Sequence, residues 1–452
     1  MPVFSLRFLP ASLLFLTLTA PLHAQTATTP AIDHGDTAWL LTSSALVLFM
    51  MIPGLALFYA GLVKSRNVLS IFMQCFVLTC ALSVLWMICG YSLAFTDGGT
   101  LVGGSSRLFF QGISVDSVRS GMVAGATGPV LASQTVPEIV FALFQMMFFM
   151  ITPGLFIGAF AERMKFSAIL IFSLLWSLLV YVPVCYGVWH NGPAKLAGTF
   201  FGLTDVIDLA GGVVVHITAG IAALVACIMV GPRKGFPTMP FMPHNLPFTI
   251  VGAGMLWVGW FGFNGGSQTA ANGAAGMTIV VTHLSASAAA LTWMAIEWFK
   301  NGKPSALGIA TGSIAGLAAV TPAAGYVAPS GALAIGAVSA ALCWFCCSKL
   351  KHRFRYDDSL DVFGVHGIGG IVGTVLVAVF GSATMGGSGQ FNIGSQLVTQ
   401  CLAAVYTAGL SGVVTWGLLS VLRLTIGLRV DEAAEAEGLD ISEHGETGYS
   451  VQ

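Results

Sequence analysis

The chain has 452 residues, 56% of them hydrophobic and 8% charged, with a formal net charge of −1 and a mean hydropathy of +0.86. Soluble domains carry about 25% charged residues, so a soluble globular fold is excluded and an all-α polytopic membrane protein is predicted. The near-neutral balance and the lack of a basic run exclude nucleic acid as a partner.

In chain order, residues 1–24 read as a secretory signal: Arg7, the apolar FLPASLLFLTLTA, then small Ala24 as the cleavage residue before Gln25. Runs near 20 residues then predict eleven transmembrane helices, at about 38–63, 69–95, 137–161, 166–188, 210–230, 248–265, 278–299, 306–323, 331–350, 363–381 and 396–425. Residues 25–427 form the transmembrane domain and 428–452 a tail. All the cysteines fall in apolar stretches, so they read as buried small hydrophobes, CWFCC at Cys343, Cys346 and Cys347 included. No metal site and no cofactor is predicted.

Alternate connections carry Lys64 and Arg66, Arg163 and Lys165, Arg233 and Lys234, Lys300 and Lys303, and Lys349, Lys351, Arg353 and Arg355, with Arg423 and Arg429 at the end of the last helix. Only Arg107, Arg119 and Lys195 fall on the other face. The positive-inside rule puts the mature amino terminus outside and the tail in the cytoplasm.

Helices one to five and six to ten are equal odd sets, which makes them an inverted repeat with a site near the midplane. The long eleventh helix stands outside it. His216 in AGGVVVHITAGIAALV and His366 in FGVHGIGGIVGT sit in corresponding runs, each after an aspartate, Asp208 and Asp361. An ionisable ring inside a bilayer marks a transport path or proton relay; the alternative is a histidine that glues two helices by a hydrogen bond. His216 lies eight residues past Asp208, about 12 Å along a helix. Gly211, Gly212, Gly220, Gly364, Gly367, Gly369, Gly370 and Gly373 predict close helix packing and so a narrow pore.

Asp208, Glu162, Glu297 and Asp361 all lie near span ends, so the interiors offer histidine, rings and glycine rather than carboxylates. Such a lining disfavours a bare ion and suits a small neutral molecule. Phe144 and Phe148 are four apart on one helix face, Trp189 follows the fourth helix, and WFGFNGGS ends the sixth with Phe263 and Ser267. Rings so placed attract an ammonium-sized cation by about 0.5–2 kcal/mol each. Taken singly, each also suits an aromatic belt.

LVLFMMIPGLALFYAGLVKSRNVLS, ITPGLFIGAFAERMKFSAILIF, IDLAGGVVVHITAGIAALV, PHNLPF with GWFGFNGGS, LGIATGSIAGLAAVTPAAGYV, DVFGVHGIGGIVGT and the tail GLRVDEAAEAEGLDISEHGETGY together resemble the ammonium transporter (Amt/MEP/Rh) family, its bacterial Amt branch above all. The resemblance implies an outer substrate site of Phe144, Trp189 and Ser267, a stacked phenyl gate of Phe148 and Phe263, and twin pore histidines His216 and His366. It makes Asp208 the family's aspartate at the outer site, though a helix N-cap is an equal reading; Gln145 and Tyr59 are weaker lining candidates. It also implies a homotrimer in the bacterial inner membrane, with a tail that meets a PII-type signal protein. Leu209, Phe149 and the polar connection 191–206 depart from the family pattern and bear on the vestibule. The implied activity is uptake: ammonium is recruited outside, deprotonated near the gate, and crosses as ammonia along the imidazoles, either with a proton relay or as a passive channel. A Rh-like gas channel and an ammonium sensor are the competing readings. No nucleophile–base pair points to an enzyme.

Overall fold

The computed structural model describes residues 32–125, 128–190 and 205–449. The signal predicted at 1–24 and most of the polar connection 191–206 lie outside the described residues. The described chain is mostly helical. Among the described residues, ten helices are long and apolar enough to cross a membrane: α1 His34–Leu62, α2 Ser65–Phe95, α3 Glu138–Phe160, α4 Phe166–Trp189, α5 Gly212–Val230, α6 Leu246–Gly266, α7 Gly273–Asn301, α9 Pro329–Phe354, α10 Phe363–Phe380 and α11 Ile393–Thr425. Between α7 and α9 lies α8, Ala306–Val320, apolar but only 15 residues long. The run expected to span 306–323 thus stops short, because Pro322 brings no N–H to continue the helix. At 1.5 Å per residue α8 is about 22 Å long, less than the hydrocarbon thickness of about 30 Å. Two short helices follow in the tail, α12 Glu432–Glu437 and α13 Leu439–His444.

An antiparallel hairpin of β1 Val118–Gly125 and β2 Gly128–Pro137 occupies the connection before α3. The sequence there shows no alternation of apolar and polar residues to predict strands. The helices pack through small residues, as bilayer packing requires. A Cβ on Gly220 of α5 would collide with the backbone of Gly367 on α10, and one on Gly373 with the backbone of α8. α1 breaks at Ile52 (φ −132°, ψ 111°), just before Pro53.

The basic connections gather on one face. Arg163, fully buried, donates to the carbonyls of Gly231 at 2.7 Å, Asp357 at 2.6 Å, Ala159 and Ala161, and to the Ser359 hydroxyl. Burial lowers its guanidinium to about 10, still well above neutral, so it remains charged. Arg233 pairs with Asp357 at 2.8 Å and Glu162 at 3.2 Å. The tail is tied into this face: Val430 N donates to the Arg163 carbonyl at 3.1 Å, Leu439 N to Asn67 Oδ1 at 2.8 Å, and Ser70 N to Asp440 Oδ1 at 2.8 Å. Asp440 therefore caps the start of α2 from the far end of the chain.

Candidate functional site

α5 begins where the backbone turns through Gly211, whose φ of +118° a side chain would strain. The turn aims successive amides at one carboxylate. Asp208 accepts from the N–H groups of Gly211, Gly212, Val213 and Val214 at 2.6–3.0 Å, the orphan donors of a helix start. Burial pushes this carboxyl up to about 6, against the lowering pull of the four amides. Its side chain is a helix cap, and its backbone meets Trp189: the Asp208 carbonyl accepts from the Trp189 indole N–H at 2.9 Å.

One turn into α5, His216 meets His366 of α10. The rings are nearly parallel (16°), 5.2 Å between centroids, with Nδ1 facing Nδ1 at 3.3 Å. They are 1% and 4% exposed. One Nδ1 donates and the other accepts, so in the neutral pair one Nε2 is an acceptor and the other an N–H donor, whichever ring holds the shared proton. His216 Nε2 has no partner. The imidazoles line a small cavity walled by Met50, Leu55, Phe58, Ile151, Leu155, Val215, Leu256, Trp260, Phe263 and Ile314. Space for the centre of a water-sized molecule amounts to about 10 Å³, enough for a single such molecule. Phe58, Ile314 and His366 also line a second, wider cavity of about 520 Å³ on the basic face, with Tyr59, Arg233, Lys351, His352 and Asp361.

Towards the other face the rings continue. Trp260 and Phe263 lie 5.6 and 6.2 Å from His216. Phe263 and Phe148, the pair the resemblance implies as a stacked gate, are 4.3 Å apart and inclined at 41°. Phe148 meets Phe144 at 5.0 Å and Trp189 at 5.6 Å, both edge to face. Gly266, next to Ser267, lies against Phe144, with room for no Cβ. The Ser267 hydroxyl donates to the Phe263 carbonyl at 2.8 Å. The fold thus brings Phe144, Phe148, Trp189, Phe263 and both histidines into one column of rings.

Other candidates sit apart from it. Tyr59 donates to the Leu155 carbonyl at 2.8 Å and borders the inner cavity. Gln145 is buried with Oε1 unpartnered. Phe149 packs on Trp86 and Tyr181, away from Phe263, and Leu209 N donates to the Pro322 carbonyl.

Asp361 does not echo Asp208. Its carboxylate pairs with Lys351, while Asp358, 1% exposed, accepts from Phe363 N at 2.7 Å at the start of α10. Burial and then neighbouring Asp361 push Asp358 up to about 6. The true echo was legible as a spacing: Asp358 precedes His366 by eight residues, as Asp208 precedes His216. Trp260, which faces His216, was legible only as part of WFGFNGGS.

Similarity to known proteins decides the family. The profile of the Ammonium Transporter Family matches residues 38–449. This chain belongs to the ammonium transporter family. The ammonium transporter of Mycobacterium tuberculosis H37Rv is 43% identical over 435 residues, covering 92% of this chain and 90% of that one. That of Aquifex aeolicus is 41% identical over 93% of this chain and 94% of its own. Among solved structures, Candida albicans Mep2 superposes with a TM-score of 0.77 at 30% identity, covering 89% and 87%. A Sensor Amt Protein does so at 0.81 and 26%, covering 91% and 98%. As a member of this family the chain is a multi-pass membrane protein.

Proposed function

We propose that this chain is an ammonium uptake transporter in which Trp189, Phe144 and Ser267 recruit ammonium, the Phe148–Phe263 pair is the gate where it loses its proton, and ammonia passes along His216 and His366. One observation carries the reading: two imidazoles, stacked and buried, border an apolar cavity of single-molecule size. A cation there would lose its hydration with no charge to replace it, whereas ammonia would not. One nitrogen of the histidine pair accepts from ammonia and another donates to it. The proton shared between the two Nδ1 atoms gives the released proton a relay, so transport is electrogenic, driven by about 2.3 kcal/mol per charge per 100 mV.

On this reading α8 counts as an eleventh, shortened span, and helices one to five and six to ten form an inverted repeat. Asp208 and Asp358, each eight residues before its histidine at the start of α5 and α10, support that symmetry. The basic face lies in the cytoplasm of a bacterial cell whose inner membrane holds the protein as a homotrimer. The mature amino terminus lies outside after cleavage of residues 1–24. The tail, 428–452, is a docking element for a PII-type protein.

Methylammonium uptake in a strain that lacks its own transporters tests the activity. Current on a solid-supported membrane, for wild type and for His216→Ala, tests the relay: wild-type current lost in the variant supports it, and no current in either leaves a passive channel.

A further inference from the structure

Arg119 leaves β1 and buries its guanidinium between Phe95 at the end of α2 and Phe141 on α3, 5.1 and 5.2 Å from the ring centroids. It is 9% exposed. Its Nη2 stands 3.4 Å from Nδ1 of His190, the residue that follows Trp189. The other imidazole nitrogen, Nε2, is 3.0 Å from Asp97 Oδ1, and the ring lies flat on Tyr186, 4.7 Å away at 14°. A tautomer with its hydrogen on Nε2 satisfies both contacts, donating to Asp97 and accepting from Arg119.

Phe141 sits one turn before Phe144 on α3, and so beside the face that carries the entrance phenyls. One guanidinium therefore braces the helix that bears Phe144 and Phe148 and, through His190, the end of the helix that bears Trp189. Arginine suits this bridge because its planar fork stacks on rings and donates from its edge at the same time. Neither residue belongs to the stretches that carry the family resemblance.

We propose that Arg119 and His190 are positioning residues of the entrance: they set the separation between the Trp189 indole and the Phe144 and Phe148 rings, and through it the affinity for a small ammonium cation. The inference rests on the reading of these rings as the recruitment site. A cation over a ring is held only when the face is presented to it, so a loosened clamp weakens capture and leaves the conduit beyond unaltered.

The test is concentration-dependent methylammonium uptake by the full-length chain, normalised to protein in the membrane, for wild type, Arg119→Gln, His190→Leu and His190→Gln. Arg119→Gln and His190→Leu should raise KM about tenfold, the loss of roughly one ring contact, with Vmax unchanged. His190→Gln, which keeps a donor and an acceptor, should recover most of the wild-type KM. Unchanged KM in both Arg119→Gln and His190→Leu overturns the proposal, and so does a fall in Vmax alone. If Arg119→Gln does not reach the membrane, the two His190 variants decide by themselves. Wild type without uptake sinks the reading of the entrance and this inference with it.

Discussion

Gly220 of α5 meets Gly367 of α10 backbone to backbone, with no space for a side chain between them. The contact lies one turn beyond His216 and one residue beyond His366, so it sets how closely the two imidazoles approach. Gly220→Ala should force the helices apart. Overpacking of this kind costs about 1–3 kcal/mol, read as a lower melting temperature in detergent, and methylammonium uptake should fall with it. Gly409→Ala on α11 is the control, since a Cβ there meets nothing within 4 Å; equal behaviour of the two variants would refute the account.

Trp189 offers only its ring face to a solute, because its N–H is held by the Asp208 carbonyl. Trp189→Leu should remove about 0.5–2 kcal/mol of cation attraction, a rise in KM for methylammonium of about 2- to 30-fold. A change confined to Vmax would speak against a recruiting role.

Asp208 and Asp358 give the fold an acid-side stability. Each carboxyl titrates near 6 in the folded chain and near 4 when unfolded. Between those values the folded state binds more protons, so stability falls as pH rises through the window, by up to about 1.4 kcal/mol per pH unit and group. Asp358→Asn should flatten the pH dependence of the melting temperature between pH 4 and 6. Asp208→Asn should instead lower stability at every pH by about 1–3 kcal/mol, because an amide has a single acceptor oxygen for four N–H groups. A wild-type melting temperature flat from pH 4 to 6 would contradict the assignment.

The tail can be probed in two ways. Deleting residues 430–452 should abolish pull-down of a PII-type protein; undiminished capture would rule the tail out as the docking element. Separately, Asp440→Ala removes the cap on α2 and should cost about 0.5–2 kcal/mol, measured as melting temperature of the full chain.

Much of this arrangement was legible in the chain because bilayer physics is one-dimensional: apolar run length alone places the helix ends within about five residues. The shortening of α8 was also written there, in Pro322. What escaped depends on contacts between distant segments. Along 118–137 apolar and polar residues do not alternate, so no strand pattern shows. Arg163 looked like an ordinary loop cation, yet carbonyls from the ends of α3 and α5 and the segment before α10 converge on it only after folding. Proximity to the Gly-Val-His stretch points to Asp361 in the sequence. Only the path of the backbone shows that the more distant carboxylate reaches the amide of Phe363.

Both polar side chains of the entrance trio turn their protons inward. The Trp189 N–H goes to the Asp208 carbonyl and the Ser267 O–H to that of Phe263. Among the described residues, this trio shows an arriving solute lone pairs and π-electron faces, with no hydrogen to give. If this is the recruitment site proposed above, ammonium, all donor, finds its complement there, whereas chloride or nitrate would need a hydrogen that these side chains do not offer.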